Sequence, residues 1–335
     1  MLRIAIIQFR PDKGAYTENL GRLGEIFGEV RRWAEPPELL IAPETALTGY
    51  FLEGGVRELA MSAEQLFADL SATHAASGAA PFAMALGFYE VWRNRLHNSA
   101  LYATLGGPDA GIRHVHRKVF LPTHGVFAEE RPVEPGTRIN ASDTRWGRAA
   151  TLASLASWHS PAPTSAPRDG APLTTTPTPQ PRPGRAPRRG HGAGRAGPSN
   201  LDRWDRLAQA IAEEHGVFVA VAHLVGFEGG KGFVGGSVLA NPRGALLLHG
   251  PLFEPAVLPA TLDFAEITRA RADQPLLSDL EVRLPHLLAD WPAGRGGQQP
   301  ESGSNGEGRG RWPTPRSRGL GPPPHPPPWS PPRNP

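Results

Sequence analysis

Two charged side chains of this 335-residue chain follow apolar segments, at points where strand ends can carry chemistry. Glu44 stands in "APETALTGY", after the apolar run "LLIA", and Lys118 stands in "HRKVFLPTHGVFAEER" between apolar neighbours. α/β sheets place functional groups at the ends of buried strands. There a carboxylate can act as a general base, and an ammonium can stabilise an oxyanion. The alternative for Glu44 is that it caps a helix or forms an ion pair. The alternative for Lys118 is that it is a surface lysine paired with Glu129 or Glu130.

A nucleophile is missing from the stretch where the pattern leads us to expect one. The segment "GRAATLASLASWHS", residues 147–160, has flanks typical of a buried strand running into a helix, but its middle contains Leu, Ala and Ser alone. The chain has no cysteine, which excludes disulfides, thiolate metal sites and a cysteine nucleophile. Its histidines lack the spacing of a metal site such as HExxH. The sequence thus contains a candidate base, Glu44, and a candidate group to stabilise an oxyanion, Lys118, but no strong nucleophile.

Composition and charge narrow the class of protein. The formal net charge is +3, too small to indicate a general polyanion-binding protein. No apolar run approaches the roughly 20 residues that span a bilayer. The first residues, "MLRIAIIQF", begin as a strand without a signal-peptide cleavage pattern. We therefore expect a soluble cytoplasmic protein that binds neither nucleic acid nor membrane, and no pattern implies a cofactor or a metal.

Strand and helix patterns alternate over residues 1–150 and 199–291. The runs "RIAIIQF" and "ELLIAPE" are typical of strands buried on both faces, and "YTENLGRLGEIFGEVRRWA" and "RWDRLAQAIAEEHG" carry apolar residues at helical spacing. The segment "SAEQLFADLSATHAAS" predicts a helix with Ser62 as its N-cap, and "GFEGGKGFVGGS" predicts a hairpin rather than a phosphate loop. This alternation predicts an α/β fold with sheets inside and helices outside.

Two segments have a different composition. Residues 161–198 contain ten prolines and one large apolar residue, Leu173, and residues 292–335 are rich in Pro, Gly and Arg. Such sequences bury too little apolar surface to offset the entropy of ordering. We predict a domain over residues 1–291, in which residues 151–198 are low-complexity and either disordered or read out of frame, followed by a disordered tail. A proline-rich ligand or a basic interaction tail is the alternative role.

The motifs together resemble the nitrilase superfamily of carbon–nitrogen hydrolases. The matching segments come in the family's order: "RIAIIQF", "LLIAPETALTGY", "GFYE" with "NSALY", "HRKVFLPTHGVFAEERPVEPG" and "GFVGGSVLANPRGALL". The form "LPTHGVFAEER" looks nearest to amidases and to the glutamine-amide-hydrolysing domain of NAD synthetases. The resemblance implies a four-layer α-β-β-α sandwich, and a homodimer or higher homo-oligomer.

The resemblance also implies a Glu–Lys–Cys triad that hydrolyses a small-molecule amide or nitrile. By motif, Glu44 matches the general base, Lys118 matches the lysine that steadies the tetrahedral intermediate, and Glu129 matches a supporting acidic position. Counting back from Trp158–Ser160, the nucleophile position falls on Ser154. A serine hydroxyl is far less acidic than a thiol and usually needs a histidine-type base. The chain as written is therefore predicted to be inactive.

The segment after Ser154 departs furthest from the family. Where relatives have a buried strand, this chain has "DGAPLTTTPTPQPRPGRAPRRG", whose length fits but whose apolar pattern is lost. Proline cannot donate to the hydrogen-bond ladder of a central strand, so we expect this strand to be absent. Our hypothesis for the preserved spacing is an out-of-frame reading of residues 151–197 in a GC-rich gene, which the nucleotide sequence tests.

Two function classes remain. In the first, the chain belongs to an amide-hydrolysing lineage and this copy has lost its nucleophile. In the second, it is a non-catalytic scaffold whose Pro- and Arg-rich segments recruit partners. Ammonia release by a Ser154→Cys variant separates the two.

Overall fold

The computed structural model describes these parts of the chain: residues 1–50, 55–121, 133–151, 164, 171, 173–178, 199–228 and 231–289. Glu44 and Lys118 lie within these ranges. Ser154, Glu129 and the predicted tail 292–335 lie outside them. Residues Met1–Leu288 form one compact unit.

Fourteen strands and six helices are assigned in the described residues. In chain order they are β1 Leu2–Gln8, α1 Tyr16–Val30, β2 Leu39–Ile41, α2 Val56–Leu59, α3 Ala63–Ser77, β3 Phe82–Trp92, β4 Arg95–Leu105, β5 Gly111–Arg117, β6 Ser142–Thr144, β7 Gly147–Thr151, β8 Leu173–Thr178, α4 Ser199–His215, β9 Phe218–His223, β10 Val225–Glu228, β11 Lys231–Val234, β12 Val238–Ala240, β13 Leu246–His249, β14 Ala256–Leu262, α5 Ala265–Asp273 and α6 Leu276–Ala289.

Two six-stranded sheets form the centre of the fold. The first has the order β14-β1-β2-β3-β4-β5, and the second has the order β13-β12-β9-β8-β7-β6. Strands β1, β2 and β3 are parallel to one another, and so are β7, β8 and β9. Strands β10 and β11 form a separate antiparallel hairpin, which agrees with the hairpin predicted for the Gly-rich segment.

Side chains alternate between two apolar layers along each central strand. In β1, Leu2, Ile4 and Ile6 pack between the two sheets, whereas Ala5 and Ile7 pack beneath α1 and α3. Strand β9 alternates in the same way between the inter-sheet layer and α4. The period of two with both faces buried explains the continuous apolar runs in the sequence. The predicted α-β-β-α sandwich is confirmed.

Local signals set two of the helix ends, and the predicted N-cap Ser62 is one of them. The Ser62 side chain accepts a hydrogen bond from the backbone N–H of Gln65 at 3.1 Å and caps α3. Gly216 has a φ of +57° directly after α4, a left-handed conformation that glycine adopts without a steric penalty. Between β3 and β4, Arg93 and Asn94 both have positive φ. Two such central residues are the signature of a two-residue type I′ hairpin.

The expected absence of the strand after Ser154 is wrong. Residues 173–178 form β8, which pairs in parallel with β9 over its whole length and with β7 over Leu173–Thr175. Among the described residues β8 pairs with β7 up to Thr175, and Pro177 pairs with Ala222 of β9. Proline donates no ladder hydrogen bond, but its carbonyl can still accept one. Threonine is β-branched and suits a strand. The threonine-rich run is therefore compatible with a central position despite its low apolar content.

The two sheets are joined at the end where β1 and β9 finish. Phe9 forms a parallel bridge with Leu224, and the Val225 N–H donates to the Phe9 carbonyl at 2.8 Å. Because β2 runs with β1 and β7 runs with β9, the carboxyl ends of β2 and β7 lie at the same end of the sandwich. The residues that follow those two strands therefore share one edge of the fold.

Candidate active site

Glu44 lies just beyond the carboxyl end of β2, in the interior of the protein. Pairing with β3 continues past the strand, since the Ala42 N–H donates to the Ala85 carbonyl at 2.8 Å and the Gly87 N–H donates to the Pro43 carbonyl at 3.2 Å. The chain then turns, with the Thr45 carbonyl accepting from the N–H groups of Thr48 and Gly49. The glutamate is thus held between a sheet and a tight turn, and its side chain has no exposed surface.

The conformation around Glu44 is unusual for these residue types. Thr45 has a φ of +52°, a left-handed conformation that β-branched residues rarely adopt. Its hydroxyl is buried and lacks a hydrogen-bond partner among the described residues. On the opposite side, a Cβ at Gly87 would lie 2.5 Å from the Glu44 Cα. Strained backbone of this kind clusters at functional sites.

Lys118 follows the end of β5 and meets Glu44 in the interior. Its Nζ donates to Glu44 Oε1 at 3.0 Å, and both side chains are fully buried. Its backbone N–H donates to the Asn98 carbonyl at 2.9 Å, and its own carbonyl accepts from the Gly136 N–H at 2.8 Å. A Cβ at Gly136 would lie 2.2 Å from the Arg117 carbonyl oxygen, so glycine is required for this approach. The structure thus brings the two predicted residues into one ion pair.

A buried ion pair of this kind is expensive to form. Each charge loses its hydration, and the mutual attraction recovers this cost in full only when the geometry is good and other hydrogen bonds are present. Here Asn98 Nδ2 supplies one, donating to the same Glu44 Oε1 that accepts from Lys118. Asn98 lies on β4 and is fully buried. Glu44, Lys118 and Asn98 therefore form one charged cluster inside an apolar core.

A second buried carboxylate holds the neighbouring strands behind this cluster. Glu90 on β3 accepts from the Arg117 guanidinium and from the Ser99 hydroxyl, each at 2.7 Å. The Arg117 guanidinium also lies 3.8 Å from the centre of the Trp92 ring. These contacts connect β3, β4 and β5, the strands that carry Asn98 and lead to Lys118. They fix the positions of these three strands relative to one another, and so the positions of Asn98 and Lys118.

The turn after Glu44 is held from both halves of the sandwich. The Tyr50 N–H donates to the buried Glu228 carboxylate at 2.7 Å, and the Tyr50 carbonyl accepts from the Tyr89 hydroxyl at 2.9 Å. The Tyr50 ring packs edge-on against Phe233. Since Glu228 and Phe233 belong to the β10–β11 hairpin and Tyr89 belongs to β3, the turn is clamped between two elements.

The predicted nucleophile position comes shortly after β7 in the sequence. Strand β7 ends at Thr151, three residues before Ser154, and its carboxyl end lies at the end of the sandwich that carries Glu44. Ser154 itself and Glu129 lie outside the described residues, so their side chains are not placed. Their roles stay predictions.

The described residues also bear on metal binding and on membrane insertion. In the part of the chain that the structure describes, no group of three or more His, Asp or Glu side chains is arranged to hold a metal ion. Among the described residues no helix is both long and apolar enough to cross a membrane.

The sequence as a whole matches one protein family. A carbon–nitrogen hydrolase family model matches residues 3–272, most of the chain and all of the elements around Glu44 and Lys118. The chain belongs to the carbon–nitrogen hydrolase family. The glutamine-dependent NAD(+) synthetase of Thermotoga maritima is 25% identical over 283 residues, covering 82% of this chain and 44% of that protein. The chain spans less than half the length of the curated relatives it matches, 33% of one and 44% of the other.

Solved structures share the fold of this carbon–nitrogen hydrolase family member. The carbon–nitrogen hydrolase from Helicobacter pylori G27 superposes with a TM-score of 0.73 at 17% identity, covering 87% of this chain and 99% of that one. The amidase from Nesterenkonia sp. AN1 superposes with a TM-score of 0.66 at 22% identity, covering 87% of this chain and 96% of that one. That amidase was solved with the acetamide moiety of fluoroacetamide covalently added at its active site cysteine.

Sequence reasoning missed Asn98 as a member of the charged cluster. The segment "NSALY" is among the family matches, yet its asparagine was not assigned a role. Its signal is a polar residue inside an otherwise apolar strand, because a buried amide must find hydrogen-bond partners. The sequence cannot show that the partner is Glu44, which lies 54 residues away.

Proposed function

We propose that this chain is a carbon–nitrogen hydrolase of the amidase type that retains the base and the lysine of its site and has lost the nucleophile. The observation that carries the proposal is the fully buried Glu44–Lys118 pair in a chain without cysteine. A pair of this kind contributes little net stability. Its presence in the core is better explained by chemistry than by folding.

The chemistry proposed for the intact site needs a thiol beside this pair. The sulfur would attack the carbon of a small amide while its proton passes to Glu44. The carbon–nitrogen bond then breaks, and Glu44 returns the proton to the departing nitrogen, which leaves as ammonia. Water attacks the resulting thioester, Glu44 takes the water's proton, and the acid and the thiol are released. The Lys118 ammonium would stabilise the oxyanion in both steps.

A hydroxyl at Ser154 is a much weaker nucleophile than a thiol at the same position. A free thiol has a pKa of about 8.5, so a carboxylate with an adjacent ammonium can generate useful thiolate. A hydroxyl is far less acidic and usually needs a histidine oriented by a third group. We therefore propose that the chain as written does not hydrolyse amides. The glutamine-dependent relative and the amidase with the same fold make small primary amides, glutamine included, the first substrates to test.

The test is ammonia release from glutamine and from short aliphatic amides, by the full chain and by its Ser154→Cys variant. The unmodified chain should stay at background, and the variant should exceed it by at least about tenfold because a thiol is the better nucleophile at neutral pH. Adding Glu44→Gln to the variant should abolish the gain. Ser278→Cys on the exposed surface of α6 is the matched control for a thiol placed elsewhere.

A scaffold without catalysis is the second candidate. It is favoured by the absence of cysteine together with the Pro-rich segments. If Ser154→Cys releases no ammonia while the unmodified chain melts in one cooperative transition, the hydrolase proposal is wrong and the scaffold remains. Hydrolysis by the unmodified chain that survives Ser154→Ala would contradict both.

A further inference from the structure

We propose that Asn98 is a positioning residue for the Glu44–Lys118 pair. Its side-chain amide orients the Glu44 carboxylate and favours its ionised form, and its backbone carbonyl fixes Lys118 beside it. The inference rests on the function proposed above, in which Glu44 is the base. It adds the group that keeps this base charged in an apolar interior.

Asn98 contacts both members of the pair through different groups. Its Nδ2 donates to Glu44 Oε1, the oxygen that also accepts from Lys118 Nζ at 3.0 Å. Its carbonyl accepts from the Lys118 backbone N–H at 2.9 Å. One residue of β4 therefore sets where the carboxylate and the ammonium lie relative to each other.

The donors on Glu44 decide which of its forms is favoured. A carboxylate accepts hydrogen bonds, so a donor aimed at it stabilises the charged form against the desolvation that favours the neutral form. The Asn98 amide N–H keeps its proton while other protons are transferred, so it can donate to Glu44 throughout. The Lys118 ammonium, in contrast, is needed to stabilise the oxyanion. Asn98 can therefore hold Glu44 while Lys118 shifts its hydrogen bonds towards a reacting group.

Other charged groups nearby act on different partners. Glu90, on β3, is occupied by Arg117 and Ser99. Glu228, on β10, accepts from the Tyr50 N–H and lies against Gly49 in the turn after Glu44. The Glu44 carboxylate itself contacts the Lys118 ammonium, and the Asn98 amide is a neutral donor beside that pair.

The experiment follows the ionisation of Glu44 directly and needs no turnover. The full chain is labelled with glutamate carrying ¹³C at the side-chain carboxyl, and the Glu44 signal is assigned by its loss in Glu44→Gln. The signal is then titrated in the unmodified chain and in Asn98→Leu. A hydrogen bond to a charged group contributes about 1.5–3 kcal/mol, so the midpoint should rise by about one to two pH units in Asn98→Leu.

Asn19 provides the matched control. It is also a fully buried asparagine, and its Nδ2 donates to the carbonyls of Asp12 and Leu47, so it supports the turn after Glu44 without touching the carboxylate. Asn19→Leu should lower the melting temperature and leave the Glu44 midpoint in place. An unmoved midpoint in Asn98→Leu, or an equal shift in Asn19→Leu, would overturn the proposal.

A second variant covers the case in which Asn98→Leu does not fold. Asn98→Asp is nearly isosteric and replaces the donor by a second carboxylate facing Glu44. It should raise the midpoint at least as far, because two facing carboxylates share a proton. An unchanged midpoint in this variant also refutes the proposal. Because the titration reports ionisation alone, a lack of ammonia release from Ser154→Cys would not affect it.

Discussion

His116, on β5 two residues before Lys118, is a titratable side chain with no access to water. Burial lowers its pKa to about 3, and the charges of His114 and Arg117 act in the same direction. The folded protein therefore keeps this imidazole neutral at pH values where an exposed histidine is protonated. A buried neutral histidine makes the fold sensitive to acid.

The acid sensitivity can be assigned to His116 by substitution. Below about pH 6.5 the unfolded chain takes up a proton at this residue and the folded chain does not, so stability is lost as the pH falls from 6.5 towards 3. Between pH 7 and pH 4 the unmodified chain should lose roughly 3 kcal/mol more of its free energy of unfolding than His116→Leu does. Urea unfolding at several pH values measures this.

The exposed His286→Leu is the control for that experiment, and it should follow the unmodified chain. Equal acid dependence in the unmodified chain and in His116→Leu would contradict the assignment.

How much of the site could be predicted differs from residue to residue. Glu44 and Lys118 were predictable because each follows an apolar strand within a recognisable motif. The role of Asn98 was not, because alternation along a strand gives the face of a residue but not the partner across 54 positions of sequence. The fully buried state of Lys118 was also unexpected, since a lysine between apolar residues normally extends its amine to water.

The close approach of β3 to the turn after β2 depends on Gly87. A Cβ there would lie 2.5 Å from the Glu44 Cα and 3.1 Å from the Thr45 nitrogen, both backbone atoms. Real Cβ atoms do not make a contact as short as 2.5 Å, and backbone cannot move aside as a flexible side chain can. The strand and the turn must therefore separate if any side chain is added.

Gly87→Ala is expected to destabilise the protein by about 2–4 kcal/mol, as for other overpacked core positions. Gly28→Ala is the matched control, because a Cβ at this position of α1 meets no atom within 4 Å. Removing a helical glycine should stabilise the protein by up to about 1 kcal/mol. Thermal unfolding of both variants checks that Gly87→Ala lowers stability and that Gly28→Ala raises it. A Gly87→Ala variant of unchanged stability would mean that the turn can move away from β3.

Elements formed by local signals were predictable, and elements decided by neighbours were not. The helix over Ala63–Ser77 has its own N-cap and a left-handed Gly78 at its end, so its bounds could be read from nearby residues. Strand β8 has no such local signal, since its threonines and proline do not by themselves indicate a strand in the core. Its place comes from pairing with β7 and β9, which supply the apolar residues around it.

One side chain joins the first sheet to the segments around the second. Gln8 is buried at the end of β1. Its Nε2 donates to the carbonyls of Pro251 and Glu254 at 2.7 and 2.6 Å, and its Oε1 accepts from the Ser237 N–H and hydroxyl at 2.8 and 3.0 Å. The two hydrogen bonds donated by Nε2 reach residues 243 and 246 positions away, and the two accepted by Oε1 come from a residue 229 positions away.

Gln8→Ala should lower the free energy of unfolding by about 3–5 kcal/mol, because it leaves the buried Ser237 N–H and hydroxyl without their acceptor and removes the hydrogen bonds to the Pro251 and Glu254 carbonyls. The matched control is Gln65→Ala on α3, where the lost hydrogen bond to Asp69 is exposed and the change should stay within about 0.5 kcal/mol. Denaturant unfolding gives both values. A Gln8→Ala variant as stable as the control would show that the sheets are held by apolar packing alone.

Self-association of the whole molecule stays a prediction. The sandwich follows from patterns that repeat along the chain, since each strand must bury two apolar faces. A contact between two copies depends instead on a single surface and its shape, which no period in the sequence encodes.

The pairing of β1 with β14 has a consequence for synthesis. Leu2 to Gln8 pair with Leu262 to Ala256, so the first and the last strand of the described residues lie side by side. About 250 residues of elongation separate them, on the order of 10–50 s at ordinary translation rates. During that time the outer edge of an apolar strand has no partner, and unpaired strand edges are templates for aggregation. The first sheet therefore closes late, and until β14 has been made the edge of β1 stays open to pairing with another chain.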